Sequence, residues 1–322
     1  MPAALEEWRR SMTGNPIRVA RARRTPAARV GAVAAAAARS APSGRGTELD
    51  HALRELVGMP GGPPGAIVLI QRGGHVTAHT AGVAEIGTER PLRATDHMRI
   101  ASVSKAFVAA TALSLVANDL LSLEDTIGER LPDLPEAWHP VTLRQLLNHT
   151  SGLPDFTARN EFAKAVTGSP TSAPPPRALL DFVADEPLRP GSQYRYSNTD
   201  NIVVGLMVEA VTGSSCAEAL HRQALRPLRL GRTSLPSDAD LPEPFIHGYA
   251  PADSGKPEDV SKVIAFGGWA WASGGIVSTP ADLARFVRAY IGGRLFKQSV
   301  RTQQTRIVTA GNTQPRGPGQ NA

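Results

Sequence analysis

This 322-residue chain has one cysteine, Cys216, so it can form no intrachain disulfide and assemble no cysteine-based metal site. Cys216 follows Val211-Thr212-Gly213-Ser214-Ser215, has no histidine near it in sequence, and reads as a small buried residue. Long apolar runs are also missing. The longest uncharged Ala/Val stretch, Val30 to Ala38, falls well short of the roughly 20 residues a spanning helix needs, so no transmembrane segment is expected. Acidic residues are scarce at both ends. Residues 1–46 hold nine Arg against Glu6 and Glu7, and residues 297–322 hold Lys297, Arg301, Arg306 and Arg316 with no acid. The net charge of +6 therefore belongs to the termini, the stretch 47–296 is net acidic, and a nucleic-acid-binding core is disfavoured.

Lysine is rare as well, five residues against 30 Arg, which gives weight to where one of them lies. Arg99-Ile100-Ala101-Ser102-Val103-Ser104-Lys105 leads into the apolar run Ala106 to Val116. If that run is a helix, Ser102 opens it and Lys105 lies one turn later on the same face, within reach of the hydroxyl. The helix N-terminus would add backbone N–H groups for a developing oxyanion. Arg could not serve as the base, because its guanidinium keeps its proton, whereas a partly desolvated Lys can lose one. The other four lysines are preceded at that spacing by Glu161, Asp253, Asp259 and Arg294. The plainer reading of the motif is a capping Ser and a solvated Lys.

Residues 1–46, rich in Arg, Ala and Pro, read either as a secretory signal, with Arg23-Arg24 before a short apolar part, or as a disordered leader outside the fold. A helix follows from Thr47 to Gly58, then a hairpin of Ala66–Ile70 and His75–Val83 around Arg72-Gly73-Gly74. His75 and His79 share a strand face without the further ligands a metal site requires. Thr142 caps a short helix that ends in Asn148-His149-Thr150-Ser151-Gly152, where His149 reads as a structural residue of a tight turn in preference to a general base. Tyr196 and Asn198 stand at the entrance of a buried helix, Ile202 to Val211. They either project together into a cleft or serve as aromatic packing and an Asn cap. Residues 236–265 are loop-like, Trp269 to Ser278 is an aromatic and Gly-rich approach to a helix capped by Thr279, and residues 297–322 are expected to be disordered.

Ser102-Val103-Ser104-Lys105, Tyr196-Ser197-Asn198 and Leu146-Leu147-Asn148-His149-Thr150-Ser151-Gly152-Leu153, with Ser273-Gly274-Gly275, together resemble the serine β-lactamase and penicillin-binding superfamily. The likeness is to its branch of class C β-lactamases, D-alanyl-D-alanine carboxypeptidases and related esterases, and it runs from about 48 to about 296. It implies an α/β fold of the α+β type, an antiparallel sheet flanked by helices with an inserted helical region at roughly 120–265. It also implies an acyl-transferring serine hydrolase that needs no cofactor and acts on a small-molecule or peptide substrate: a D-Ala-D-Ala peptide, a β-lactam or an ester. Carried over, Ser102 is the nucleophile and its N–H half of the oxyanion hole. Lys105 and Tyr196 share the proton, the Tyr ionising more easily beside an ammonium. Asn198 holds Lys105 and the substrate amide, and Ser273 and Gly274 line the substrate. The family's third motif, a basic residue, a hydroxyl residue and Gly, has no counterpart in a usable place. His79-Thr80-Ala81 precedes the nucleophile, and Val308-Thr309-Ala310-Gly311 lacks the basic residue. The expectation is a fold short of its terminal strands and an activity impaired by about 10²–10³ for a lost oxyanion donor. The alternative is a non-catalytic remnant or pseudoenzyme of the same fold. The family's usual location points to export, and nothing in the sequence sets the oligomeric state.

Overall fold

The computed structural model describes residues 45–168, 173–188, 193–250, 256–262 and 268–304. The leader 1–44, the turn at Pro190-Gly191 and the segment Val308–Gly311 lie outside them.

Helix α1 (Arg45–Gly58) packs on a hairpin of β1 (Gly65–Arg72) and β2 (His75–Gly82). Gly73 and Gly74, both at positive φ, close the hairpin in register, Arg72 opposite His75 and Gly65 opposite Gly82. Such a two-glycine turn matches the twist of antiparallel strands. The chain then passes through β3 (Met98–Arg99) and a 3₁₀ turn, Ala101–Val103, into α2 (Ser104–Ala117). Ser102 therefore lies in the turn before the helix, two residues ahead of its first residue, where the sequence pattern has it opening the helix.

The region that follows is helical in short pieces, α3 (Leu143–Leu147) among them. Thr142 closes it in a capping box, its hydroxyl accepting from Gln145 N–H while the Gln145 side chain returns to Thr142 N–H. Next comes α4 (Asn198–Thr212), stopped by Gly213 in the left-handed conformation. A two-residue ladder of β4 (Tyr249–Ala250) and β5 (Glu258–Asp259) is the one strand pair in this otherwise helical insertion among the described residues. The short helix α5 (Trp271–Gly274), β6 (Val277–Ser278), α6 (Pro280–Gly292) and α7 (Gln298–Gln304) complete the described chain. The architecture is mixed α/β, helices with small antiparallel sheets.

The core lies between α2 and α4, which explains why both are apolar on nearly every side. Phe107 stacks on Phe286 of α6, and Leu143 and Leu146 of α3 close the other flank. Gly205 of α4 is where close approach is needed. A Cβ there would stand 2.7 Å from the Trp271 ring, so only glycine lets α5 settle onto α4.

One expectation changes. Residues 297–322 were expected to lack order, yet Gln298–Gln304 is a helix that buries Val300 and accepts a bond from Arg144 Nη1 at Gln303 Oε1, 3.0 Å. The hairpin, among the described residues, pairs only within itself. Its second face looks onto α6 across a groove of about 620 Å³ lined by Ile67, Leu69, Met98, Leu283 and Val287.

Candidate active site

Ser102 is presented by a tight and anchored turn. Ala101 before it holds φ at +44°, a left-handed conformation unusual for a residue with a Cβ. The turn is tied to the residue before β6: Ile100 N–H donates to Ile276 O at 3.2 Å, and Ile276 N–H donates to Ser104 Oγ at 3.1 Å. Arg99, just upstream, is fixed by donating to the carbonyls of Ser261 (3.0 Å) and Ala239 (2.5 Å). Ser102 remains partly exposed, between the exposed Ala101 and Val103.

Lys105 is 9% exposed, and its Nζ has three oxygen neighbours: Asn198 Oδ1 at 2.8 Å, Ser273 O at 2.5 Å and Ser102 Oγ at 3.3 Å. It also lies 4.9 Å from the centre of the Tyr196 ring. Burial pulls its pKa down to about 7, against the opposing pull of the Asp155 and Asp200 carboxylates. Tyr196 donates its hydroxyl to Ser102 Oγ at 2.9 Å.

The sequence motifs thus meet, with three corrections. First, burial raises the Tyr196 pKa and outweighs its bond to Ser102, so the phenol stays neutral and Lys105 is the group that titrates near neutrality. The expected easing of Tyr ionisation by an ammonium has no counterpart here: burial is the largest cause of the shift, and Asp155 and Tyr194 add to it. Second, Asn198 is fully buried as the first residue of α4, after Ser197 as N-cap. Its Oδ1 holds Lys105 as expected, but its Nδ2 turns inward to Asp155 Oδ2 (3.1 Å) and Thr157 Oγ1 (3.2 Å) and so does not point to a substrate amide. Third, Ser273 and Gly274 are buried in α5. The Ser273 hydroxyl donates back to Ala270 O at 2.6 Å, and its carbonyl is what grips Lys105.

Asp155 and Asp200 went unnoticed in the sequence. Asp155 caps a 3₁₀ turn through Thr157 N–H and carries the charge behind Asn198, with its own pKa raised by burial. Asp200 is completely buried, accepts from Ser151 Oγ at 2.5 Å, and meets His149 Nδ1 at 2.8 Å. A signal existed: Asn198-Thr199-Asp200-Asn201 sets four polar residues into the start of an apolar helix, and all four are buried. His149 does stand in a tight turn, at φ +56°. Cys216 is buried, its thiol pushed up to about 12 by burial and by Glu209. His79 bonds Asp50 Oδ1 at 2.8 Å, and no three His, Cys, Asp or Glu gather as a metal site among the described residues. No single described helix is long and apolar enough to cross a membrane.

The profile of the Beta-lactamase family matches residues 49–322. The chain belongs to the beta-lactamase family. Among its relatives, this beta-lactamase-family chain is 31% identical over 180 residues to the D-aminopeptidase of Brucella anthropi, covering 56% of this chain and 34% of that protein. It is 34% identical over 229 residues to the esterase EstB of Burkholderia gladioli, covering 66% of this chain and 54% of the esterase. The D-stereospecific amidohydrolase from Streptomyces sp. superposes with a TM-score of 0.74 at 30% identity, over 84% of this chain and 79% of that one. The chain spans less than half the length of the first curated relatives it matches. The aminopeptidase, the esterase and the amidohydrolase are named for hydrolytic activities.

Proposed function

We propose that the chain hydrolyses an amide or ester by acyl transfer to Ser102. The observation that carries this reading is the position of Ser102 Oγ, 3.3 Å from a lysine that titrates near pH 7 and 2.9 Å from a neutral tyrosine hydroxyl. Burial pulls the Lys105 pKa down to about 7, which brings its neutral amine within reach near neutral pH. Its two N–H bonds go to Asn198 Oδ1 and Ser273 O, which leaves the lone pair toward the Ser102 hydroxyl.

The reaction then runs in balanced steps. Ser102 Oγ bonds to the carbonyl carbon while its proton passes to Lys105 Nζ and the carbonyl electrons move onto oxygen. Collapse of that intermediate breaks the bond to the leaving nitrogen or oxygen. The leaving group takes the Tyr196 proton, and the Lys105 proton restores the phenol. Water attacks the acyl-serine by the same path in reverse, which frees the acid and Ser102.

For the substrate we favour amides or esters of D-amino acids. The D-aminopeptidase and the D-stereospecific amidohydrolase support the D-amino acid amide by their names, and the esterase supports an ester. β-Lactams and D-Ala-D-Ala peptides are the further candidates. The second reading is a slow enzyme or a non-catalytic relative. It is favoured by one observation: no strand bearing a basic residue, a hydroxyl residue and Gly lies beside Ser102 among the described residues. The deciding experiment is hydrolysis of D- and L-alanine amides and p-nitrophenyl esters by the chain and by Ser102→Ala. Turnover of either class that disappears in Ser102→Ala supports the reading, and equal background rates in both proteins overturn it.

A further inference from the structure

The mechanism leaves one buried acid and one histidine unused. Asp200 is fully buried at the first turn of α4, and its two oxygens are shared between Ser151 Oγ and His149 Nδ1. A carboxylate placed there is costly unless it is bonded to something that matters to the fold or the site. The residue it holds is itself strained: His149 keeps φ at +56°. Its carbonyl accepts Arg195 N–H at 2.7 Å, so the turn is clamped to the loop that carries the tyrosine. Its ring centroid lies 4.8 Å from that of Tyr196 with the planes 36° apart, and Tyr194 approaches edge-on at 6.1 Å. Main chain and ring thus hold residues 194–196 at two points. The hydroxyl at the end of the Tyr196 ring is the one that meets Ser102.

We propose that Asp200 and His149 are a positioning pair for the acyl transfer, Asp200 orienting the imidazole and the imidazole face setting the Tyr196 hydroxyl against Ser102. The proposal rests on the serine-hydrolase reading above and extends it to two residues that touch no reacting atom. His149 Nδ1 faces the Asp200 carboxylate at 2.8 Å and the Ser197 N–H at 3.4 Å; a proton on Nδ1 serves the shorter of the two contacts. Neither residue moves a proton of the reaction. Their positioning effect is geometric and passes through Tyr196; the separate pull of the Asp200 charge on Lys105 vanishes above the Lys105 pKa, where the amine is neutral with or without it.

Passage through Tyr196 makes the proposal testable by a double-mutant cycle. His149→Asn tolerates the left-handed backbone and keeps an N–H to offer Asp200, while removing the ring that faces Tyr196. The rate constant for covalent labelling of Ser102 by a fluorophosphonate is measured in wild type, His149→Asn, Tyr196→Phe and the double variant. His149→Asn is expected to slow labelling between about 10- and 100-fold when Tyr196 is present, the scale of a misplaced reacting group. In the Tyr196→Phe background, where no hydroxyl remains to be positioned, it should change the rate less than about twofold, because the two residues act as one unit. The same cycle with Asp200→Asn, which preserves volume, is run at pH 9, where Lys105 is neutral with or without the Asp200 charge; it repeats the test on the other member and decides it if His149→Asn does not fold. Equal factors in both backgrounds, or no slowing with Tyr196 present, overturn the proposal. A wild type that does not label at Ser102 overturns the serine-hydrolase reading and this one with it, whereas a labelled wild type with equal factors overturns this one alone.

Discussion

Lys105 Nζ lies 2.5 Å from the main-chain carbonyl of Ser273, a residue 168 positions further along the chain. With Asn198 Oδ1 on a second side, this carbonyl fixes which direction of the nitrogen is left for Ser102. The amine is thereby oriented before any substrate arrives, so no reorganisation is needed at the moment of proton transfer.

The rate of Ser102 acylation should rise with pH through about 7 and level off above it, because the base form of Lys105 has lost its proton. Lys105→Arg should lower the rate by about 10²–10⁴, the usual contribution of a positioned acid or base, since a guanidinium keeps its proton. Stopped-time labelling from pH 5 to 9 checks both. Linkage gives a second sign. Lys105 falls from 10.5 to about 7 on folding, so its burial destabilises the fold fully below pH 7, and stability is recovered as pH rises from 7 toward 10.5. Lys105→Met should remove that upward slope in urea unfolding measured across this range.

Asn198→Ala should weaken both the base and the fold. It takes an acceptor from Lys105 and leaves the part-buried Asp155 without the amide that donates to it. Loss of about 1–3 kcal/mol is expected for a buried polar group left unsatisfied, read by urea unfolding, with slower labelling of Ser102 in the same protein.

Gly205→Ala should act on the site from a distance. The added methyl would meet the Trp271 ring and Ala272, and α5 would have to shift together with the Ser273 carbonyl that Lys105 uses. Overpacking of this kind costs about 1–3 kcal/mol, and a parallel drop in the labelling rate would show that the shift reaches Lys105.

Much of the site was legible because its chemistry is written in short local spacings. A lysine three residues after a serine at the mouth of an apolar run, in a chain with five lysines, needed no tertiary information. Tyr196 and Asn198 were legible for the same reason. The Ser273 carbonyl was not, because every residue has one and a sequence gives no hint of which carbonyl is used. Asp155 and Asp200 acquire their roles only when the 149–157 turn meets the start of α4, and the Tyr196 charge could not be judged before its burial was known. The helix Gln298–Gln304 was missed since its sequence, QSVRTQQ, offers one apolar residue.

That residue gives a test of the tail. Val300→Ala removes two buried methyl groups, worth about 1.6 kcal/mol at about 0.8 kcal/mol per group, whereas the same change in an unordered tail would leave stability unchanged. Thermal or urea unfolding of the two proteins distinguishes the cases.

The central claim is that Ser102 becomes acylated. Its most direct measurement is mass spectrometry of the intact chain after incubation with a β-lactam, whose ring opens to leave an acyl group on the serine, or with a fluorophosphonate, which loses fluoride and leaves a phosphonyl group there, followed by peptide mapping of the adduct. The account predicts one adduct per chain on the peptide carrying Ser102, formed faster at pH 8 than at pH 6 and absent from Ser102→Ala. A folded chain that gains no mass, or gains it equally in Ser102→Ala, would contradict it.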